Sequence, residues 1–212
     1  GAVRLEGVKL TNYYKQDQLP PTLETTPPPI ITNIYKTQKA FAALDVTGKV
    51  HVWGGGYEGS YGGSLPATLD VTNPPKITNI YRTAYAFAAL DVNRKLHVWG
   101  RDGYGGSLPD TLDPATDPPK ITNIYSTLSA FTALDVTGKV HVWGHGSYGG
   151  SLPDILNTTP PPIITNIYSA HSYGFAALTS DGMVVMWGKA DYDKIGKNSS
   201  GEKVNVIYNV KT

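Results

Sequence analysis

The pentapeptide Ile-Thr-Asn-Ile-Tyr occurs four times, at residues 31–35, 77–81, 121–125 and 164–168, and a worn fifth version, Val-Asn-Val-Ile-Tyr, stands at 204–208. Successive copies start 46, 44, 43 and 40 residues apart. A period of this length constrains the fold more than any other feature. One such unit cannot bury its apolar face alone, so neighbours must stack to build a shared core.

Each full copy follows one plan. A proline-rich lead-in (27–29, 74–75, 118–119, 160–162) precedes the pentapeptide, and a variable turn leads to a second apolar run, 40–45 in the first copy. A tight turn, Val46-Thr47-Gly48, opens a third run at 49–53, and the copy closes with Gly54, a Gly/Tyr loop and Ser64-Leu65-Pro66. Ile, Val, Tyr and Trp suit a pleated surface, and runs of about 5–6 residues have the usual strand length. Thr47-Gly48, Thr137-Gly138 and Asp181-Gly182 supply the positive-φ residue that a hairpin requires, with Asn93-Arg94 in the same place and Asn as the tolerated substitute. Proline cannot donate to a ladder, so its clusters belong between units or at edges. No stretch keeps a helical period, so almost no helix is expected. Units of 40–45 residues with four short strands each have the period of a propeller blade.

The run Phe41-Ala42-Ala43-Leu44-Asp45-Val46-Thr47-Gly48-Lys49-Val50-His51-Val52-Trp53-Gly54 resembles the core of the regulator of chromosome condensation repeat, and residues 177–188 resemble it more closely still. The resemblance spans residues 30–203. Two features depart from it. That family follows Trp-Gly with a Gly-Gln-Leu-Gly-like turn, where Tyr61-Gly62-Gly63 and its equivalents stand here, and it commonly has seven blades, more than this chain can supply. The resemblance implies an all-β fold, a β-propeller of tandem repeats of about 43 residues. It implies no single activity, because its members include an exchange factor for a small GTPase, a β-lactamase inhibitor and a plant light sensor.

The expected organisation is one repeat domain over 1–212: a partial repeat at 1–30, full repeats at 31–76, 77–120, 121–163 and 164–203, and a closing strand at 204–212. Leu19-Pro20-Pro21-Thr22-Leu23 matches Leu65-Pro66-Ala67-Thr68-Leu69, so the chain opens inside a repeat, while 204–208 offers a first strand with nothing after it. Ends that meet within one molecule would share a closing blade and make a ring of five. Ends that meet between molecules would complete one another by strand addition. A third outcome is a fragment of a longer array.

The composition excludes several classes. Apolar residues make up 40% and charged residues 17%, as in a folded protein, and the net charge of +1 carries no basic stripe for nucleic acid. With no cysteine, disulfides, thiolate metal sites and cysteine catalysis are excluded. No apolar run approaches the roughly 20 residues of a membrane span. No signal peptide is visible at Gly1, though a mature chain would have lost one.

Candidate chemistry is sparse. His51, His97 and His141 share one repeat position, which Val185 takes in the fourth copy; they read as strand histidines between blades, since a zinc ion needs ligand atoms about 2 Å away. Trp53, Trp99, Trp143 and Trp187 read as inter-blade packing, and Asp45, Asp91 and Asp135 as hairpin caps, with Thr179 in the fourth copy. No Ser/His/Asp arrangement, cofactor loop or metal set appears, so no enzyme is expected. Recognition is expected in the loops that differ between copies: the first turn, with Tyr85 and His171, and the loop after Trp-Gly, with Tyr57, Tyr61, Arg101, Asp102, Tyr104, His145, Tyr148 and Tyr192. The tyrosines are either stacking groups for a partner or structural loop anchors. The expected function is a non-enzymatic interaction module for a protein or a glycan. The alternative is a structural subunit that self-associates through its chain ends. Asn157-Thr158-Thr159 and Asn198-Ser199-Ser200 are glycosylation acceptor patterns and favour an extracellular or surface location.

Overall fold

A computed structural model describes residues 19–55, 61–170 and 172–189. Each of the four copies folds as a three-stranded antiparallel sheet with its strands in chain order. The first sheet holds β1 (Ile31–Lys36), β2 (Ala40–Asp45) and β3 (Val50–Gly54), and the second β4 (Ile77–Arg82), β5 (Ala86–Asp91) and β6 (Leu96–Gly100). The third holds β7 (Ile121–Ser126), β8 (Ala130–Asp135) and β9 (Val140–Gly144), and the fourth β10 (Ile164–Ala170), β11 (Gly174–Thr179) and β12 (Val184–Gly188). The second and third copies, described throughout, contain no fourth strand. Its place is taken by short 3-10 turns such as Asp102–Tyr104 and Asp110–Leu112, so the expectation of four strands per repeat is corrected to three. Proline after Ser-Leu in this loop removes a donor that a fourth ladder would need.

The pentapeptide owes its spacing to a bulge. The register of β1 against β2 shifts between Ile31 and Asn33, and the Thr32 hydroxyl donates to the Leu44 carbonyl at 2.9 Å. Thr78, Thr122 and Thr165 do the same to Leu90, Leu134 and Leu178. The extra residue puts both isoleucines of the motif on one face of the sheet, which simple alternation would not do.

Each sheet therefore has two apolar faces of different character. One carries the two isoleucines with a stacked Phe and Trp; Phe87 and Trp99 stand with centroids 5.1 Å apart. The other carries Ala, Leu and Val at alternate positions of the second and third strands. In the first junction Ala40, Ala42, Leu44 and Val50 pack against Ile77, Ile80, Phe87 and Trp99 of the next sheet, and Leu69 of the intervening loop plugs the space between. Leu112 and Leu156 are the plugs of the second and third junctions. The core is thus a series of inter-blade layers, as stacked repeats require.

The hairpin between the second and third strands turns on a left-handed residue: Gly48 at φ 86°, Gly138 at 83°, Gly182 at 84° and Arg94 at 64°. Asn93 was the expected substitute in the second copy. The residue with positive φ is instead Arg94, because Asn93 occupies the turn position of Thr47 and Thr137, whose amides donate to the capping aspartate. The expected closing strand at 204–212 and residues 1–18 of the partial repeat at 1–30 lie outside the described residues.

Candidate partner-binding face

Backbone bonds between neighbouring blades gather the variable loops. The amide of Gln38, in the first turn of the first blade, donates to the Ala84 carbonyl at 2.8 Å, and the Ala84 amide donates to Leu128 at 2.8 Å. The loop after each third strand joins the same edge: the Arg101 amide donates to the Tyr85 carbonyl at 3.0 Å and the His145 amide to Ser129 at 2.9 Å. Thr37, Thr83 and Thr127 lock the two loop types together. The Thr83 hydroxyl accepts from the Ala86 amide at 3.1 Å and donates to the Tyr104 carbonyl at 2.9 Å, and Thr127 repeats this with Ala130 and Tyr148. Two loop sets that are far apart in each repeat so become one surface.

Tyr61, Tyr85, Arg101 and Tyr104 meet on that surface. The rings of Tyr61 and Tyr85 are 5.3 Å apart, and Tyr85 meets the edge of Tyr104 at 4.8 Å. The Arg101 guanidinium stands 5.2 Å from the Tyr104 centroid and 5.9 Å from that of Tyr61, within cation–π range. Arg101 is exposed and the three rings are half-buried. The carbonyls of Tyr61, Tyr104 and Tyr148 anchor their loops by accepting from Thr37, Thr83 and Thr127, and the Tyr104 ring also packs against the core of the second junction. Asp102 is exposed, and its Oδ1 accepts a bond from the Ser107 hydroxyl at 2.6 Å, which braces the loop. In the next blade His145 lies edge-on to Tyr148 at 5.0 Å. A pocket of about 260 Å³ between the second and third blades is lined by Tyr81, Arg82, Thr83, Ser126, Thr127 and Leu128. Tyr57, His171 and Tyr192 lie outside the described residues.

The repeated histidines and aspartates form pairs. His51 Nε2 is 3.0 Å from Asp45 Oδ2, His97 is 3.3 Å from Asp91, and His141 is 2.8 Å from Asp135. A carboxylate only accepts, so Nε2 carries the proton and donates. His97 Nδ1 then accepts from the Thr68 hydroxyl of the preceding repeat at 3.0 Å. The other aspartate oxygen caps the hairpin, accepting from the amides of Thr47 and Lys49 in the first copy. Burial acts to raise the Asp45 carboxyl, but the Thr47 hydroxyl, His51 and the two amides outweigh it and hold it at about 2. Asp135 is lowered against its burial in the same way, by His141 and Thr137. Burial lowers His97 below its ordinary value, against the pull of Asp91. These buried pairs hold strands in place. A signal for them was present in the sequence: the fourth copy replaces both members together, by Thr179 and Val185. Among the described residues no three His, Asp or Glu side chains are grouped so as to hold a metal ion, and no helix is long and apolar enough to cross a membrane.

Three-stranded sheets stacked through Phe–Trp faces, with hairpins capped by aspartate and loops gathered on one edge, define a β-propeller with blades like those of the regulator of chromosome condensation. Among solved structures the chain is similar to Prp20p from Saccharomyces cerevisiae, with 17% identity, a TM-score of 0.55, and coverage of 86% of this chain and 50% of that one. It is also similar to yeast RCC1 (Prp20) in its complex with Kap60, with 19% identity, a TM-score of 0.51, and coverage of 86% and 49%. Prp20p has binding properties toward Gsp1p and histones. The chain spans about half the length of each of these two structures. No family model matches the sequence, and no curated protein matches it.

Proposed function

We propose that this chain is a non-enzymatic, protein-binding propeller whose partner docks on the loop edge around Tyr61, Tyr85, Arg101 and Tyr104. The observation that carries this reading is the contact of three tyrosine rings and one guanidinium contributed by separate loops of two blades. Tyr and Arg dominate the energetic centres of protein interfaces, and rings held in place lose little freedom on binding. The loops vary between copies while the inter-blade positions repeat, which suits a scaffold that presents different groups at each blade. The solved propellers of similar fold also bind proteins, although they share only the fold with this chain.

The test is affinity capture with in situ cross-linking, comparing the wild-type chain with a Tyr85→Ala/Arg101→Ala variant. Truncating two central anchors should weaken a specific partner by about a hundredfold or more. A partner retained equally by both proteins overturns this site. Binding on a glycan array that is lost in the same variant would replace the protein partner with a sugar. An extracellular location is part of the proposal and rests on Asn157, which is exposed and begins an acceptor triplet. Secreted protein whose mass is unchanged by an N-glycosidase would count against it.

A further inference from the structure

The faces of the four blades are not equally used. In each of the three junctions, the Phe–Trp face of one blade packs on the Ala/Leu/Val face of the blade before it. Among the described residues this leaves one Phe–Trp face, on β1–β3, and one Ala/Leu/Val face, on β10–β12.

Both faces carry exposed apolar side chains. Ile34 is 63% exposed and Phe41 40%, where their counterparts Ile80 and Phe87 are 4% and 0%. The Nδ1 of buried His51, on the same face, has no hydrogen-bond partner, whereas that of His97 meets a threonine of the repeat before it. At the other end Tyr168 is 60% exposed. Ala176, Leu178 and Val184, whose counterparts Ala42, Leu44 and Val50 are buried, line a groove of about 460 Å³.

The composition says what fits that groove. The chain holds four phenylalanines and four tryptophans, and all eight stand in the four stacks 41/53, 87/99, 131/143 and 175/187. No other segment of these 212 residues can therefore offer the last blade a Phe–Trp pair. Three stacks are already buried in junctions. We propose that a second copy of this chain supplies the fourth: the Phe41–Trp53 face of one molecule packs on the β10–β12 face of another, making between chains the junction that occurs three times within each. The contact is face to face, not the addition of a strand to an edge. It joins different surfaces of the two molecules, so it is heterologous, giving a closed ring if the rotation closes and a filament if it does not.

The experiment is sedimentation velocity on the 212-residue chain across a wide range of concentration. Wild type should associate, and Phe41→Asp or Ala176→Asp should each weaken association by at least about a hundredfold, since each buries an unpaired charge in the junction. Equal amounts of the two variants should form a one-to-one dimer and nothing larger, because the first keeps an intact last blade and the second an intact first blade. Ile34→Lys gives the same reading should Phe41→Asp fail to fold. The Tyr85→Ala/Arg101→Ala variant should associate as wild type does, which separates this interface from the loop edge. A wild-type chain that stays monomeric throughout overturns the proposal. So does a mixture that fails to dimerise, or an Ile34→Lys monomer with a markedly lower melting temperature than wild type, which would mean that its own chain covers Ile34.

Discussion

The indole N–H of Trp143 donates to the carbonyl oxygen of Gly105, 3.2 Å away and in the repeat before it. Trp99 makes the same bond to Gly62 and Trp187 to Gly149, each at 3.1 Å. The glycines sit directly on the Phe ring of the next blade, so the Tyr-Gly-Gly sequence that departs from the related repeat has a packing role. A Cβ at Gly105 would lie 2.5 Å from the Phe131 ring, and its φ of 96° is one that other residues rarely adopt. Gly105→Ala should therefore destabilise by roughly 2–4 kcal/mol, combining overpacking with backbone strain. Gly103→Ala, two residues away with open space around its Cβ position, should stay within about 0.5 kcal/mol of wild type. Urea unfolding of both variants checks the contrast.

Arg94 stands at φ 64° where the other three hairpins have glycine. A left-handed conformation costs a residue with a Cβ roughly 1–2 kcal/mol, so Arg94→Gly should stabilise by about 1 kcal/mol once the greater freedom of unfolded glycine is subtracted. A lower urea midpoint would show that the arginine side chain contributes more than its backbone costs.

The fourth repeat shows how the His–Asp pair can be replaced. There the Thr179 hydroxyl accepts from the Met183 amide at 2.8 Å, and Val185 fills the histidine position. His97→Val alone leaves Asp91 Oδ2 and the Thr68 hydroxyl without this partner and should cost about 1–3 kcal/mol. Adding Asp91→Thr should recover more than half of that loss. The two denaturation curves together decide whether Asp and His act as a unit.

The same groups set the response to acid. Folding holds His97 below its ordinary value of 6.5, with burial as the chief cause and Lys95 adding to it against Asp91, so the unfolded chain takes up that proton first. Its contribution is present above pH 6.5 and is lost as pH falls from there through the lowered native value. Asp45 is depressed from 3.8 to about 2, so its contribution is present above 3.8 and disappears as pH falls toward 2. Asp135 adds to this second step in the same direction. Melting temperatures should fall in two stages on acidification, and the Asp91→Thr/His97→Val variant should flatten the first. A melting temperature that rises between neutral pH and pH 5 would contradict this assignment.

Phe131 and Phe41 occupy the same repeat position, but only Phe131 is fully buried. Phe131→Ala should cost about 3–5 kcal/mol, and Phe41→Ala less than about 1 kcal/mol in the monomer. Equal losses would mean that both rings are covered within one chain.

The local units could be read from residue order alone. Pentapeptide, hairpin glycine, capping aspartate and proline lead-in each act within a few residues, through φ preference, strand propensity and short hydrogen bonds, so four copies could be read as four small sheets. The same order also separated the invariant positions from the variable ones, and it set aside enough proline and glycine to mark where each sheet ends. Arg94 shows the limit of such reading, because asparagine is the better left-handed residue in general and the cap geometry decided otherwise here. What meets across blades depends instead on how the sheets stack. The bulge at Thr32 turned Ile31 and Ile34 to one face, and the packing of sheet on sheet brought Trp143 to Gly105 and Tyr61 to Tyr85. Such partners lie tens of residues apart, and the angle at which one sheet stacks on the next, which no single repeat encodes, determines whether they touch.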